Sequence, residues 1–179
     1  MKHLGTSLTA ADIVVKSQLP AAYPVAVLLA DTPFTNAPVT LASVNVPANT
    51  LAAGVRFAFE MSGSVINTTA ASNLVLSLLV NGTVVATATV ALGTTAFATP
   101  GRGFEAEGLM TFRAVGTSGS VQAAITGAIS GLATIRSNLA APVDVNTTAA
   151  VTLALKISTS AATTTGTLRQ ALRQLLVVR

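Results

Sequence analysis

The chain has 179 residues, of which 51% are hydrophobic, only 4% aromatic and 9% charged, with no cysteine and a formal net charge of +4. Globular chains carry about 25% charged residues, so a monomer of this composition exposes much uncharged surface, either dressed in Thr and Ser hydroxyls or covered by identical neighbours, and we prefer the second reading. The lack of cysteine excludes disulfides and thiolate metal sites, and Arg56, Arg102, Arg113, Arg136 and Lys156 are scattered without the dense basic patch and stacking aromatics of a nucleic-acid binder.

The first 35 residues differ from the rest. Thr9, followed by Ala10, Ala11 and Asp12, fits a helix cap, and Pro20, Pro24, Pro33 and Pro38 then interrupt regular structure. We read residues 1–35 as an extended N-terminal arm, anchoring or inter-subunit, that adds little to the core. An edge strand at Val25–Ala30 (VAVLLA) is the alternative, and the two are compatible. Leu4, Leu8, Ile13, Val14, Val15 and Leu19 are apolar where a solvated linker avoids such residues, so the arm is expected to dock on another chain. Lys2 and His3 are not followed by a compact apolar core with a small-residue cleavage site, so a secretory signal is not expected.

Residues 36–179 read as one domain of short strands. Pro38–Val46 and Ser120–Ser130 are the weaker ones. In VRFAFEM, Val55, Phe57, Phe59 and Met61 share an inward face, with Arg56, Ala58 and Glu60 outward. The uncharged run from Met61 to Gly101 contains NLVLSLLVNGTVVATATV, residues 73–90. A membrane helix needs about 20 apolar residues, but Asn81-Gly82 interrupts this one, and both residues tolerate the positive φ of a type I′ hairpin turn. Leu74, Leu76, Leu78 and Val80 alternate before the turn. Val84, Ala86, Ala88 and Val90 alternate after it, opposite Thr83, Val85, Thr87 and Thr89. The stretch therefore reads as a β-hairpin. A membrane β-barrel needs aromatic girdles that this chain lacks, so no membrane role is expected.

Further on, Phe104, Ala106, Met110, Phe112 and Ala114 share one face, opposite Glu105, Glu107, Thr111 and Arg113. Val151, Leu153, Leu155 and Ile157 do the same opposite Thr152 and Lys156. PANTLAAG, SGSVINTTAASN, GTTAFATPGRG and GTSG separate the strands as turns. The tail TLRQALRQLLVVR fits a helical stripe of Leu168, Leu172, Leu175 and Leu176. It also fits a strand with Leu168, Leu172, Leu176 and Val178 on one face and Arg169 and Arg173 on the other. The strand is preferred in an all-β chain. Strands of this length at this spacing predict an all-β, antiparallel β-sandwich of jelly-roll type.

Three units, Pro47–Gly54, Leu76–Ala86 and Thr111–Arg113, set in this strand order over about residues 25–178, resemble a class of tailed-bacteriophage virion proteins with jelly-roll or tumour-necrosis-factor-like sandwiches. The resemblance implies a non-enzymatic structural protein, a head decoration or cement protein or a capsid fibre. It also implies a homotrimer attached to the major capsid protein or another virion protein, assembled in the bacterial host cytoplasm. A tail-fibre or receptor-binding, glycan-binding module is the alternative. Typical members have a more acidic final strand than one carrying Arg169, Arg173 and Arg179, which puts the contact made by this end in doubt.

Candidate chemistry is sparse. His3 is the one histidine of the sequence and lies at the terminus, so a Ser-His-Asp triad or histidine metal cluster is not expected. Glu105 and Glu107 could act as a glycosidase pair at the right separation, but without Trp they read as an exposed polar strand face balanced by Arg102 and Arg113. Asp144 with Asn146 is a weak cation-site pattern. GTSG and PGRG lack the lysine and helix of a phosphate loop, and Asn67, Asn81 and Asn146 match glycosylation acceptors in form alone. No catalytic, cofactor-binding or metal residue is assigned.

Overall fold

The structure is a computed structural model, described here for residues 32–68, 72–93, 97–137, 141–161 and 164–174. It is all-β. The strands are β1 (Thr32–Phe34), β2 (Val39–Val46), β3 (Arg56–Asn67), β4 (Asn73–Val80), β5 (Thr83–Ala91), β6 (Phe97–Ala114), β7 (Gly119–Ile129), β8 (Ala133–Arg136), β9 (Val143–Val145), β10 (Val151–Thr159) and β11 (Thr164–Gln174). They form a seven-stranded sheet, β1-β11-β3-β6-β7-β8 with β9 also on β7, and a four-stranded sheet, β2-β10-β4-β5. Every pairing is antiparallel.

Four pairings nest inside one another: β1 with β11, β2 with β10, β3 with β6, and β4 with β5. Rolling such a nested hairpin until its alternate pairs fall in opposite sheets gives the jelly roll. β7, β8 and β9 are added between the sixth and seventh strands of that plan and widen the larger sheet.

The inward faces follow the period-2 pattern. Phe59, Phe104, Phe112, Leu74, Leu76, Leu78, Met110, Ile125 and Leu153 are fully buried between the sheets. Phe57 and Phe112 meet edge-to-face at 5.9 Å, a favoured aromatic arrangement. Ala58, expected outward, is buried too; a single methyl beside Leu109 of β6 is easily covered.

The hairpin is as the sequence predicts. Asn81 has φ 50° and Gly82 φ 80°, in a two-residue turn between Val80 and Thr83. Asn81 has a second role. Its N–H donates to Thr152 O at 2.8 Å, and its Oδ1 accepts from Thr152 N–H at 2.8 Å, so it ties the turn to β10. Asn81→Ala forces a methyl-bearing residue into positive φ and leaves the Thr152 N–H without this acceptor. We expect a loss of about 1–2 kcal/mol, read as a lowered midpoint in urea at unchanged slope.

Several expectations are corrected. The alternation puts Val84 on one face with Ala86, Ala88 and Val90, opposite Val85. The register slips between Leu78 and Leu79, so the extra residue in β5 reverses the phase: Val84 is exposed and Val85 buried. SGSVINTTAASN is not wholly a turn, because β3 runs on to Asn67. GTTAFATPGRG is not a plain turn either. β6 begins at Phe97, and Asn67 faces Phe97 while Val65 faces Arg102, so residues 98–101 bulge out of the ladder. Gly101, at φ 79°, makes this bend where a Cβ would stand 2.7 Å from Val65 O.

At the ends, the tail is strand rather than helix over Thr164–Gln174. Its register slips between Leu168 and Gln170, which leaves Arg169 outside the one-to-one pairing with β3. Leu175, Leu176, Val178 and Arg179 lie outside the described residues, as do residues 1–31 with the Val25–Ala30 alternative. The last part of the expected arm belongs to the sandwich: Thr32–Phe34 is β1, and Phe34 is 1% exposed in the core.

Candidate functional site

Strand pairing assembles a polar surface on the outer face of the larger sheet that the linear sequence conceals. β3 and β6 set Glu60 opposite Glu107 and Ser62 opposite Glu105. β7 then places Thr126 beside Glu107 and Ala128 beside Glu105, and β8 places Arg136 beside Thr126. Directly paired residues have Cβ atoms about 4.5–5.5 Å apart, and like charges so placed repel. Glu60, Glu105, Glu107, Thr126 and Ala128 line an open trough of about 510 Å³. A second hollow of about 340 Å³ adjoins it and shares Ser62, Glu105 and Ala128.

Glu105 and Glu107 stand exposed and Glu60 is half-buried. The expected balance by Arg102 and Arg113 is not what the structure shows. Arg102 Nη1 donates to Gly131 O at 2.6 Å and Ser130 O at 3.3 Å, and its guanidinium lies 5.0 Å from the Phe97 ring centroid. It therefore clamps the turn between β7 and β8, with a cation–π contact on its other side. Arg113 Nη1 donates to Gln122 Oε1 at 3.1 Å. The trough thus offers carboxylate acceptors to whatever enters it, with Arg136 beside Thr126 on its β8 side. Among the described residues no histidine lines it, and the glutamates are not set in a closed pocket that would exclude water.

The other sequence candidates are dispersed. His3 lies outside the described residues. Asp144 is exposed on β9, paired with Ser120. Asn146 Oδ1 accepts from Thr148 N–H at 2.9 Å and from Thr148 Oγ1–H at 2.7 Å, so it closes a local turn. Asn67 is fully buried, and its Oδ1 accepts from Thr164 Oγ1–H at 2.9 Å. It cannot meet a glycosylating enzyme in the folded chain. Among the described residues no group of three or more His, Cys, Asp or Glu side chains is placed to hold a metal ion, and no helix is long and apolar enough to cross a membrane.

Sequence reading missed Glu60 as the companion of Glu105 and Glu107. Only the pairing of β3 with β6 joins them. It also missed how charge divides between the sheets. Among ionisable side chains that the structure describes, all but Lys156 lie on strands of the seven-stranded sheet. The outer face of the four-stranded sheet presents instead Thr40, Ser77, Thr87, Thr89, Thr152 and Ser158, with Ser77 and Thr87 hydroxyls 3.4 Å apart across the β4–β5 pair.

No protein-family model matches this chain, and no curated protein matches it. The fold that stands is an all-β sandwich of two antiparallel sheets.

Proposed function

We propose that this chain is a non-enzymatic structural subunit of a virion of tailed-bacteriophage type. In this reading it is a head decoration or cement protein or a capsid fibre, assembled in the bacterial host cytoplasm. It acts as a homotrimer attached to the major capsid protein or another virion protein. The observation that carries the reading is the division of charge. One outer sheet face bears a single charged side chain, Lys156, among hydroxyl and small residues. Such a face costs less to desolvate than a charged one, provided its hydroxyls hydrogen-bond to the partner, so it suits permanent contact with neighbouring protein. The strand order and the motifs at Pro47–Gly54, Leu76–Ala86 and Thr111–Arg113 support the virion assignment.

The experiment has two arms. Light scattering of the full chain at micromolar concentration should give a trimer mass, and a stable monomer contradicts a self-sufficient oligomer. Deleting residues 2–22 removes none of the described strands, β1 to β11. Thermal unfolding should be unchanged while incorporation into virions is lost. A variant that attaches normally removes the anchoring role of the arm.

The glycan-binding alternative has one observation in its favour, the trough at Glu60, Glu105 and Glu107, since carboxylates accept hydrogen bonds from sugar hydroxyls. A glycan array with the isolated protein separates the two readings. Binding abolished by Glu105→Gln with Glu107→Gln places the sugar in the trough.

A further inference from the structure

The free edges of the two sheets are not alike. In the larger sheet, β1 has 3 residues including Pro33, and β8 has 4 residues and ends at Arg136. In the smaller sheet, β2 lies between Pro38 and Pro47, and its pairing with β10 slips between Leu155 and Lys156. Short strands, prolines, charges and bulges are the devices that keep sheet edges from pairing with other chains. β5 has none of them over most of its length. It has 9 residues, TVVATATVA, with neither charge nor proline. Its one irregularity lies near the hairpin turn and leaves Ala86–Ala91 in regular register with β4. Among the described residues nothing pairs with its outer edge.

We propose that β5 is a pairing edge. The β5 strands of two copies of this chain pair antiparallel about a two-fold axis and join their four-stranded sheets into one. The occupant is a second copy because the strand is complementary to itself. Ala86, Ala88 and Val90 are buried on the inward side, and Thr87 and Thr89 are exposed on the other. A partner strand must continue both the apolar row and the hydroxyl row, and a second β5 does so. Cross-strand threonine pairs are favourable, and no like charges meet across the axis. The contact uses the same patch on both copies, so it saturates at two. It cannot close a trimer, so it stands apart from the trimer proposed above. Where both form, the three β5 edges of one trimer meet the three of another, and trimers are joined in pairs.

The test is sedimentation velocity on the full chain and on a Thr87→Lys, Thr89→Lys double variant, with circular dichroism to check the fold. Both sites are exposed, and Thr87→Glu alone repeats the test with one substitution. The expected result is a wild-type mass twice that of the variants, as dimer against monomer or hexamer against trimer. Because Thr87 and Thr89 also lie on the neutral outer face proposed for neighbour contact, a threefold drop in mass places their effect in the trimer contact and overturns the pairing. Equal masses overturn the pairing, as does a wild-type mass that climbs without limit as concentration rises. A trimer unmoved by the substitutions overturns the pairing and leaves the trimer standing. A dimer halved by them supports the pairing and removes the trimer.

Discussion

Phe34→Ala should lower the stability of the isolated chain by about 3–5 kcal/mol, the usual range for emptying a fully buried aromatic site. Phe34 lies on a strand of 3 residues, but its ring is 1% exposed and meets Phe104 edge-to-face at 6.2 Å. In the ladder it is paired with Gly166 of β11. A Cβ built on Gly166 would overlap the Phe34 ring, so the ring occupies the volume that a side chain at that position would take. Truncation therefore opens a hole at the sheet edge that neither β11 nor Phe104 can fill without moving. Marginal stability of about 5–15 kcal/mol makes this a large fraction of the total, and the melting temperature should fall by roughly 10 °C. Gly166→Ala should destabilise as well, by displacing the ring. Calorimetry checks both. If Phe34→Ala melts like the wild type, the first strand is not part of the folding unit, and the arm reading extends through residue 35 after all.

The sequence made the hairpin legible because Asn81-Gly82 carries its own backbone requirement, and the structure meets it with positive φ at both residues. β10 was legible because Val151, Leu153, Leu155 and Ile157 alternate without a break and are all buried. What stayed hidden has a common cause: it depends on strand partners. The phase reversal at Val85 and the slip near Arg169 are irregularities of a ladder, and a period-2 count runs straight through them. β1 was read as arm because Pro33 and its short length leave no local pattern, although its pairing with β11 and the burial of Phe34 settle its place. The trough was half visible. Glu105 and Glu107 declare a shared face by their spacing, whereas Glu60 joins them only through the register of β3 against β6. Likewise, the concentration of charge on one sheet is invisible until strands are sorted into sheets.

The trough itself supplies the other large effect. Gly127 lies among its lining residues and is paired with Ala106 of β6 and Ile135 of β8. A Cβ on Gly127 would fall inside contact distance of Glu105 O, and 2.7 Å from Ala106 Cα. Those are backbone atoms of a strand held on its other side by β3. They cannot step aside as the end of a long side chain can. Gly127→Ala should therefore pry β7 away from β6 and cost about 3 kcal/mol, the upper part of the range for overpacking. Gly103, in the adjoining hollow, provides the contrast. Its nearest neighbour to a built Cβ is Gly63 O at 3.9 Å, so Gly103→Ala meets ordinary contact and should change stability by no more than about 0.5 kcal/mol. Thermal unfolding of the two variants decides the matter, with amide exchange on β6 and β7 locating the loss. Equal behaviour would mean that the close approach of the strands at Gly127 is not what shapes this face. If the two differ as expected, the concavity that carries Glu105 and Glu107 depends on one position without a side chain. Gly127→Ala should then disturb any partner that docks in the trough, while Gly103→Ala leaves it in place.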